Sequence, residues 1–183
     1  MSALQSYRGK RVLITGHTGF NGSWLALWLR DLGADVFGFA LPPAPGPSNF
    51  VACRIGDKVH HCEGDLRDRR ALRTALEDAR PEIVFHLAAQ PLVRDSYDDP
   101  LGTFEVNVLG TVNVLEAVRA QRSVRAVVLV TSDKCYENRE WEHAYRENDP
   151  MGGHDPYSAS KGCAELVAAA YRTKSDWSCR KFN

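Results

Sequence analysis

A strand, a glycine-rich turn and a helix follow one another near the start of the chain. Residues 11–15 are Arg-Val-Leu-Ile-Thr, a short apolar and β-branched run typical of a buried parallel strand. Residues 16–22 contain three glycines with the spacing G-x-x-G-x-x-G. Residues 23–32 have the periodicity of a helix, and Gly33, which follows them, is a residue suited to a helix C-terminus. This order of elements predicts a nucleotide-binding unit.

Each glycine of this loop has a different predicted role. Gly16 permits a tight turn, Gly19 lets the backbone approach a pyrophosphate, and Gly22 lets the helix lie close to the strand. The unpaired N–H groups at the start of the helix would then bind the anion. The cofactor-binding residues expected in this loop are Gly16, Thr18, Gly19, Phe20 and Gly22.

The size and charge of the chain limit how many domains it can form and which classes of partner it can bind. With 183 residues, 44% of them hydrophobic, the chain is long enough for one buried core and too short for two full domains. Lysine plus arginine and aspartate plus glutamate number 23 each, without a basic run, which favours a small-molecule partner over nucleic acid or an anionic membrane. The polar N-terminus and the short apolar stretches favour a soluble, cytoplasmic protein.

The cysteines and histidines predict neither a disulfide framework nor a metal site. The five cysteines are odd in number and lack C-x-x-C spacing, so we expect them to be reduced. His60, His61 and Cys62 are consecutive, and neighbouring residues of a strand point to opposite faces of the sheet. We therefore do not expect these three side chains to converge on one ion.

Strand and helix patterns alternate through the rest of the chain. Asp68 is the expected N-cap of a helix that continues to about Ala79. Further strands are predicted at residues 34–40, 58–62, 82–89 and 125–130, and further helices at residues 103–121 and 156–171. Five strand repeats predict an α/β fold, a Rossmann-like doubly wound parallel sheet with three α/β/α layers.

The segment after the second predicted strand bears on the choice of cofactor. Residues 41–48 are rich in proline and predict a loop. An acidic residue at this place binds the ribose hydroxyls of NAD, and a nearby arginine accommodates the phosphate of NADP, but the sequence has neither here. Because no arginine is available, we expect NAD to be favoured over NADP.

Two groups of polar residues are suited to redox chemistry on an alcohol. Residues 131–134, Thr-Ser-Asp-Lys, follow the fifth strand at the sheet edge where α/β proteins bind ligands. Tyr157 and Lys161 are four residues apart and share one helix face. An ammonium beside a phenol stabilises the phenolate, so Tyr157 would act as general base toward a substrate hydroxyl that Ser132 hydrogen-bonds. Each group alone is common on protein surfaces, and their combination predicts the reaction.

Several motifs together resemble the extended short-chain dehydrogenase/reductase superfamily. They are the glycine loop of residues 16–22, His86-Leu87-Ala88-Ala89, Asn107-Val108-Leu109-Gly110-Thr111 and Tyr157-Ser158-Ala159-Ser160-Lys161. Within it, the chain is similar to the CDP-glucose 4,6-dehydratase family from about residue 7 to 171, through residues 15–20, 89–94, 131–138 and 147–153. The resemblance implies NAD as cofactor and a nucleotide-sugar, CDP-glucose, as substrate.

The same resemblance implies roles for the catalytic residues Ser132, Asp133, Lys134, Tyr157 and Lys161. Tyr157 would take the proton of the carbon 4 hydroxyl as a hydride passes to NAD. The ketone acidifies carbon 5, so that Lys134 would remove the carbon 5 proton while Asp133 protonates the leaving hydroxyl of carbon 6. The hydride would then return to carbon 6. Lys134 separates this branch from relatives that have glutamate at the matching position.

Further binding residues are implied outside the glycine loop. Asp65 and Leu66 would flank the adenine, and Asn107 would order the active-site backbone. The residues expected near the nicotinamide and its ribose are Ala88, Ala89, Gln90, Tyr157 and Lys161. The candidates for the sugar pocket are Gln90, Arg94, Ser96 and Ser132, with Arg94 equally interpretable as a solvated surface charge.

The chain departs from the family pattern in two places. Asn21 stands where a lysine is expected in the glycine loop, which removes one contact to the phosphates or a neighbouring side chain. Family members continue beyond the Tyr157 helix into a sixth strand and a substrate domain. We therefore expect a cofactor-binding domain over residues 1–172. Residues 173–183 form a tail that does not match the family and is typical of a frameshift or premature stop. We expect the chain alone to catalyse no dehydration.

Two rival functions and one assembly state complete the expectations. An epimerase or reductase of the same superfamily would not need the Asp133-Lys134 pair. A dinucleotide-binding module without catalytic activity would bind the cofactor and catalyse no reaction. The predicted helices at residues 103–121 and 156–171 resemble those of a four-helix dimer interface, which implies a homodimer in which small side chains pack closely, namely those of Ala164, Ala168, Ala169 and Ala170.

Overall fold

A computed structural model describes residues 3–173. It contains one parallel sheet of five strands in the order β3-β2-β1-β4-β5. The strands are β1 (Arg11–Thr15), β2 (Asp35–Ala40), β3 (His60–Glu63), β4 (Ile83–His86) and β5 (Ala126–Leu129). This order confirms the predicted doubly wound sheet, and it places the reversal of strand order between β1 and β4, where α/β sheets bind ligands.

Seven α-helices accompany the strands in the described part of the chain. They are α1 (Phe20–Asp31), α2 (Asn49–Ala52), α3 (Arg69–Ala79), α4 (Val93–Asp98), α5 (Pro100–Phe104), α6 (Gly110–Ala120) and α7 (Pro156–Thr173). Short 3-10 turns occupy Ala3–Tyr7, Ile55–Asp57 and Asp133–Cys135, and Glu105–Leu109 forms a π-helical turn. No helix within residues 3–173 is long and apolar enough to cross a membrane.

The described residues form two compact units. The first comprises residues 3–88 and 113–130 and contains the sheet. The second comprises residues 89–112 and 131–173 and contains α4, α5, the π-helical turn and α7. The last ten residues of the predicted tail, 174–183, lie outside the described part of the chain.

The core of the first unit lies on both faces of β1. Val12 and Ile14 are fully buried against a cluster that includes Ala26 and Leu29 of α1. Leu13, which points to the opposite face, is 1% exposed. A strand buried on both faces has the continuous apolar sequence seen at residues 11–15, and helices cover both sides of it.

Two predicted helix ends agree with the structure. The carboxylate of Asp68 accepts hydrogen bonds from the backbone N–H groups of Arg70 and Ala71, both at 3.0 Å, and so caps α3. Gly33 follows α1 with a φ of +85°, the left-handed conformation expected at this position. These local signals were sufficient because capping uses residues only two or three positions apart.

Other predicted boundaries were wrong. α1 begins at Phe20, so Gly22 lies in its first turn rather than before it. The predicted helix over 103–121 is interrupted by the π-helical turn, which places Asn107 inward at 2% exposure. The short helices α2, α4 and α5 were not predicted, because each has fewer than two full turns and so shows no periodicity.

The fifth strand is less buried than its sequence indicates. β5 pairs with β4 on one side, and no second strand pairs with it among residues 3–173. Val128 and Val130 are each 42% exposed. An apolar strand at a sheet edge leaves backbone N–H and C=O groups free to pair with another chain.

The close approach of α1 to the glycine loop generates a prediction about stability. A Cβ at Gly22 would overlap the carbonyl oxygen of Gly16, whereas a Cβ at Gly19 would lie 3.4 Å from that oxygen, and Gly19 has an ordinary φ of −77°. Gly22→Ala should therefore lower the free energy of unfolding by more than about 2 kcal/mol, and Gly19→Ala by less than about 1 kcal/mol. Urea unfolding of both variants measures this, and equal losses would contradict the packing described here.

Candidate functional site

In the first unit, the glycine loop lies against the end of β4. Gly16 has a φ of +80°, and a Cβ there would be 2.7 Å from the backbone nitrogen of Ala88. Ala88 is held in turn, because its N–H donates to Thr15 Oγ1 at 3.3 Å, and Thr15 Oγ1 is 2.7 Å from His86 Nδ1. Only glycine permits the two backbones to approach so closely at the point where strand order reverses.

The N-terminus of α1 has no protein cap. Gly19 is the N-cap residue, it lacks a side chain to accept from the first N–H groups, and the first turn contains no acidic residue. Phe20 is 75% exposed, so the entrance to the helix is open to solvent. A helix N-terminus with free N–H groups and a positive dipole end is a site for phosphate oxygens. The loop therefore suits the pyrophosphate of a dinucleotide.

Thr18, a predicted cofactor-binding residue, makes a hydrogen bond within the protein. Its hydroxyl donates to the carbonyl of Leu41 at 2.9 Å and so ties the glycine loop to the proline-rich loop that follows β2. In this conformation, the side chain of Thr18 shapes the loop, while the N–H groups of the helix start remain available for an anion.

Asp65 and Leu66 follow β3. The Asp65 carboxylate is held by Arg67, whose Nη2 lies 2.6 Å from Oδ2 and whose Nε lies 3.0 Å from the same oxygen. Hydrogen bonds from Arg67 keep the pKa of Asp65 below its usual value. The side chain of Leu66 is buried, and its carbonyl accepts from Asn113 Nδ2 at 2.9 Å. Both predicted adenine-flanking residues are thus held in place.

His17, inside the glycine loop, was not singled out by sequence. It is fully buried, its Nε2 lies 2.6 Å from His61 Nδ1, and its ring packs edge-on against Phe50. Burial, with a smaller effect of neighbouring His61, lowers the pKa of His17 to about 4, which the carbonyl of Phe39 only partly offsets. A neutral imidazole therefore supports the loop from beneath at neutral pH.

In the second unit, the Asn107 side chain forms hydrogen bonds with the backbone of Gln90, the residue after Ala89. Its Oδ1 accepts from the N–H of Gln90 at 2.8 Å, and its Nδ2 donates to the carbonyl of Gln90 at 3.1 Å and to Ser160 Oγ at 2.8 Å. Ser160 Oγ donates onward to the carbonyl of Tyr157 at 2.7 Å. The buried amide connects the Gln90 backbone to α7, and the π-helical turn is what aims it inward.

Tyr157 and Lys161 lie in the first turns of α7, as their spacing predicts. Tyr157 is 9% exposed and Lys161 is 7% exposed, and the Lys161 ammonium lies 5.7 Å from the centre of the Tyr157 ring. Burial lowers the pKa of Lys161. No carboxylate pairs with this ammonium among the described residues, and the Tyr157 ring lies beside it.

The predicted sugar-pocket residues have distinct environments. Ser96 is fully buried, donates to the carbonyl of Val93 at 2.6 Å and accepts from the N–H of Tyr157 at 3.2 Å, so it caps α7. The Gln90 amide bonds to Leu92 and to Thr103 Oγ1. Arg94 is exposed. Ser96 thus positions Tyr157 through the backbone, and its contact with a sugar stays a prediction.

The segment after β5 presents Asp133 and Lys134 to solvent. Ser132 Oγ accepts from the N–H of Lys134 at 3.0 Å and caps the 3-10 turn, and it lies 3.2 Å from Asp133 Oδ1. The Lys134 ammonium is 4.0 Å from Asp133 Oδ2, with side-chain exposures of 54% and 75%. Thr131 donates to Glu165 of α7, which fixes the segment to the helix that carries Tyr157. Hence one unit brings together all five predicted catalytic residues.

These features define the class of the protein. A parallel sheet in the order 3-2-1-4-5 with an uncapped helix start after a glycine loop at its switch point is typical of a dinucleotide-binding α/β protein. The chain belongs to the GDP-mannose 4,6 dehydratase family, whose family model matches residues 13–182.

Two relatives show how similar the chain is to individual proteins and how much of each protein it covers. The chain is 57% identical over 166 residues to the CDP-glucose 4,6-dehydratase of Salmonella typhimurium, covering 91% of this chain and 46% of that protein. It is 34% identical to the UDP-glucose 4-epimerase of Mycolicibacterium smegmatis, covering 92% of this chain and 53% of that one. The chain therefore spans about half the length of the relatives it matches.

A solved structure shows the same fold with a cofactor bound. The UDP-glucose 4-epimerase from Brucella ovis, determined in complex with NAD, aligns with a TM-score of 0.74 at 27% identity. The alignment covers 89% of this chain and 48% of that protein.

The buried His17 predicts a pH dependence of stability. Its pKa is about 4 in the folded chain and 6.5 when unfolded, so as pH falls the unfolded chain binds the proton first. The contribution to stability is complete above pH 6.5 and is lost as pH falls toward 4. Between pH 7 and 5 the wild type should therefore lose about 2 kcal/mol more of its unfolding free energy than His17→Phe.

Urea unfolding at both pH values measures this difference. His60→Gln is the matched control, because His60 is exposed and bonds only to Asp35 among the contacts found for its ring nitrogens. The control should retain the wild-type pH dependence, and parallel pH profiles for the wild type and His17→Phe would contradict the assignment.

Proposed function

We propose that this chain is the cofactor-binding and catalytic part of an NAD-dependent nucleotide-sugar 4,6-dehydratase that converts CDP-glucose to CDP-4-keto-6-deoxyglucose. The observation that carries the proposal is the presence of a carboxylate and an amine, Asp133 and Lys134, on the same unit as the Tyr157–Lys161 pair. The identity of 57% to a CDP-glucose 4,6-dehydratase supports this choice of substrate.

The residues of the glycine loop would hold the cofactor. The N–H groups at the start of α1 would bind the pyrophosphate, Asp65 and Leu66 would flank the adenine, and Ala88 would let the cofactor pass over the end of β4. When bound, NAD supplies a hydride acceptor and donor. The residues proposed to contact its nicotinamide end are Ala89, Gln90, Asn107, Tyr157 and Lys161.

Tyr157 would begin the reaction by removing the proton of the carbon 4 hydroxyl. The Lys161 ammonium, 5.7 Å from the ring and buried, stabilises the phenolate through space. Ser132 would share a hydrogen bond with the same hydroxyl and so orient it. Ser96 and Ser160 fix the backbone of Tyr157 from both sides, which restricts where the phenol points.

Asp133 and Lys134 would carry out the elimination. Once carbon 4 is a ketone, the proton on carbon 5 becomes acidic. Lys134, as the neutral amine, would accept it, and Asp133, as the carboxylic acid, would donate a proton to the hydroxyl that leaves carbon 6 as water. Lys134 would then return a proton to carbon 5 as carbon 6 receives the hydride taken from carbon 4. Both side chains are exposed and free to face a substrate, with 4.0 Å between the ammonium and the carboxylate. An epimerase or a simple reductase needs no such pair, so the pair favours dehydration over the epimerase chemistry of the second relative.

Two substitutions separate the oxidation from the elimination. Because the chain covers 46% of the Salmonella relative, the assay uses residues 1–172 joined to that relative's remaining C-terminal half. Tyr157→Phe should lower turnover at least about 100-fold and leave NAD oxidised, since the base for the first step is gone. Lys134→Ala should lower product formation similarly while reduced cofactor accumulates.

Absorbance of reduced cofactor and formation of the 4-keto product are followed together. Lys58→Ala, an exposed lysine on the first unit, is the control and should retain turnover. The role of Lys134 is disproved if its alanine variant forms product at the wild-type rate or accumulates no reduced cofactor. Product from UDP-glucose by inversion at carbon 4 would identify an epimerase instead.

We also propose a homodimer that uses the helical segments 103–121 and 156–171. Leu109 and Leu166, one on each segment, are 56% and 62% exposed, which is unfavourable unless a second copy covers them. Leu166→Glu should shift the sedimentation mass at micromolar concentration from dimer to monomer. Val51→Glu, a similarly exposed site on α2, should leave the mass unchanged, and a monomeric wild type would contradict the proposal.

A further inference from the structure

The end of β2 lacks the residue that discriminates between NAD and NADP in dinucleotide folds. After Ala40 the chain continues Leu-Pro-Pro-Ala-Pro-Gly-Pro-Ser, without an acidic side chain for the ribose hydroxyls or an arginine for a 2′-phosphate. Any discrimination must therefore come from a neighbouring element at the same edge of the sheet.

β3 places a carboxylate beside this position. In the parallel pairing of β2 with β3, Glu63 is the register partner of Ala40, and the N–H of Gly64 donates to the Ala40 carbonyl at 2.8 Å. Register partners point their side chains to the same face, with Cβ atoms about 5 Å apart. Glu63 thus extends from the carboxyl end of the sheet next to the missing ligand, and its side chain is 55% exposed.

Two histidines connect Glu63 to the glycine loop. His61 Nε2 lies 3.4 Å from Glu63 Oε1, and His61 Nδ1 lies 2.6 Å from His17 Nε2. A carboxylate only accepts, so His61 Nε2 carries the proton, its Nδ1 accepts, and His17 Nε2 donates.

Two other carboxylates, on β2 and just after β3, are not available to the ribose. Asp65 is held by two Arg67 nitrogens, as described above. Asp35 lies at the opposite end of β2, where it bonds to His60 at 2.8 Å. Glu63 has one long hydrogen bond to His61, which leaves most of its acceptor capacity available.

We propose that Glu63 accepts hydrogen bonds from the adenosine ribose hydroxyls of NAD and sets the preference for NAD over NADP, with His61 and His17 orienting its carboxylate. The inference rests on the proposed binding of NAD. A carboxylate in this position favours a free 2′-hydroxyl and repels the 2′-phosphate of NADP. Glu63 then takes from β3 the role that an acidic residue at the end of β2 has elsewhere.

Calorimetric titration of the 183-residue chain with NAD, NADP and 2′-deoxy-NAD tests this. Glu63→Gln should weaken NAD binding about tenfold, weaken binding of the analogue that lacks the 2′-hydroxyl of its adenosine ribose by a smaller factor, and reduce the NAD-to-NADP affinity ratio by about tenfold or more. A purely structural role for Glu63 would weaken all three ligands equally. His61→Phe, which keeps the packing but not the hydrogen bond, should reduce the same ratio by a smaller factor.

Glu77→Gln is the control, because Glu77 is an exposed carboxylate of the same unit that pairs with Arg73 on α3. It should leave all three affinities unchanged. If the wild type binds NAD and Glu63→Gln retains the wild-type affinity ratio, the inference is overturned and the proposed function stands. If the wild type binds none of the three ligands, both are overturned.

Discussion

The close contact between the backbone at Gly16 and the backbone at Ala88 is the constraint on which the first unit depends. It joins the ends of β1 and β4 at the switch point, where a Cβ on Gly16 would be 2.7 Å from the Ala88 nitrogen. No other residue fits both the positive φ and the space, so the opening at the edge of the sheet is set by main-chain atoms. The uncapped start of α1 then faces an edge whose shape does not depend on side-chain rotamers.

Buried hydrogen bonds fix the polar groups of the second unit. The Asn107 amide uses three of its four hydrogen-bonding positions, and its partners are the Gln90 backbone and Ser160. Each such bond contributes about 1 kcal/mol, but a buried amide left without partners would cost more, so the network specifies one arrangement. Asn107 lies within the π-helical turn, an irregularity that is frequent at functional sites.

The charged groups of the second unit divide into buried and exposed pairs. Lys161 is buried beside the Tyr157 ring and has no carboxylate partner among the described residues. Asp133 and Lys134 are exposed, and only Ser132 and the backbone of the 3-10 turn restrain them. One pair is therefore held within the protein, while the other is open to solvent.

Sequence alone determined the features that depend on neighbouring residues. The glycine loop, the Asp68 cap, the alternation that gives the doubly wound sheet and the Tyr157–Lys161 spacing all follow from patterns within a few positions. Tertiary structure alone decided the rest. Three contacts join residues that are far apart in the sequence. Asn107 bonds to Gln90, 17 positions away, and His17 contacts His61, 44 positions away. Ser96 accepts from the N–H of Tyr157, 61 positions away. Side chains so distant carry no shared local signal, because their contact exists only once the sheet and α7 have formed.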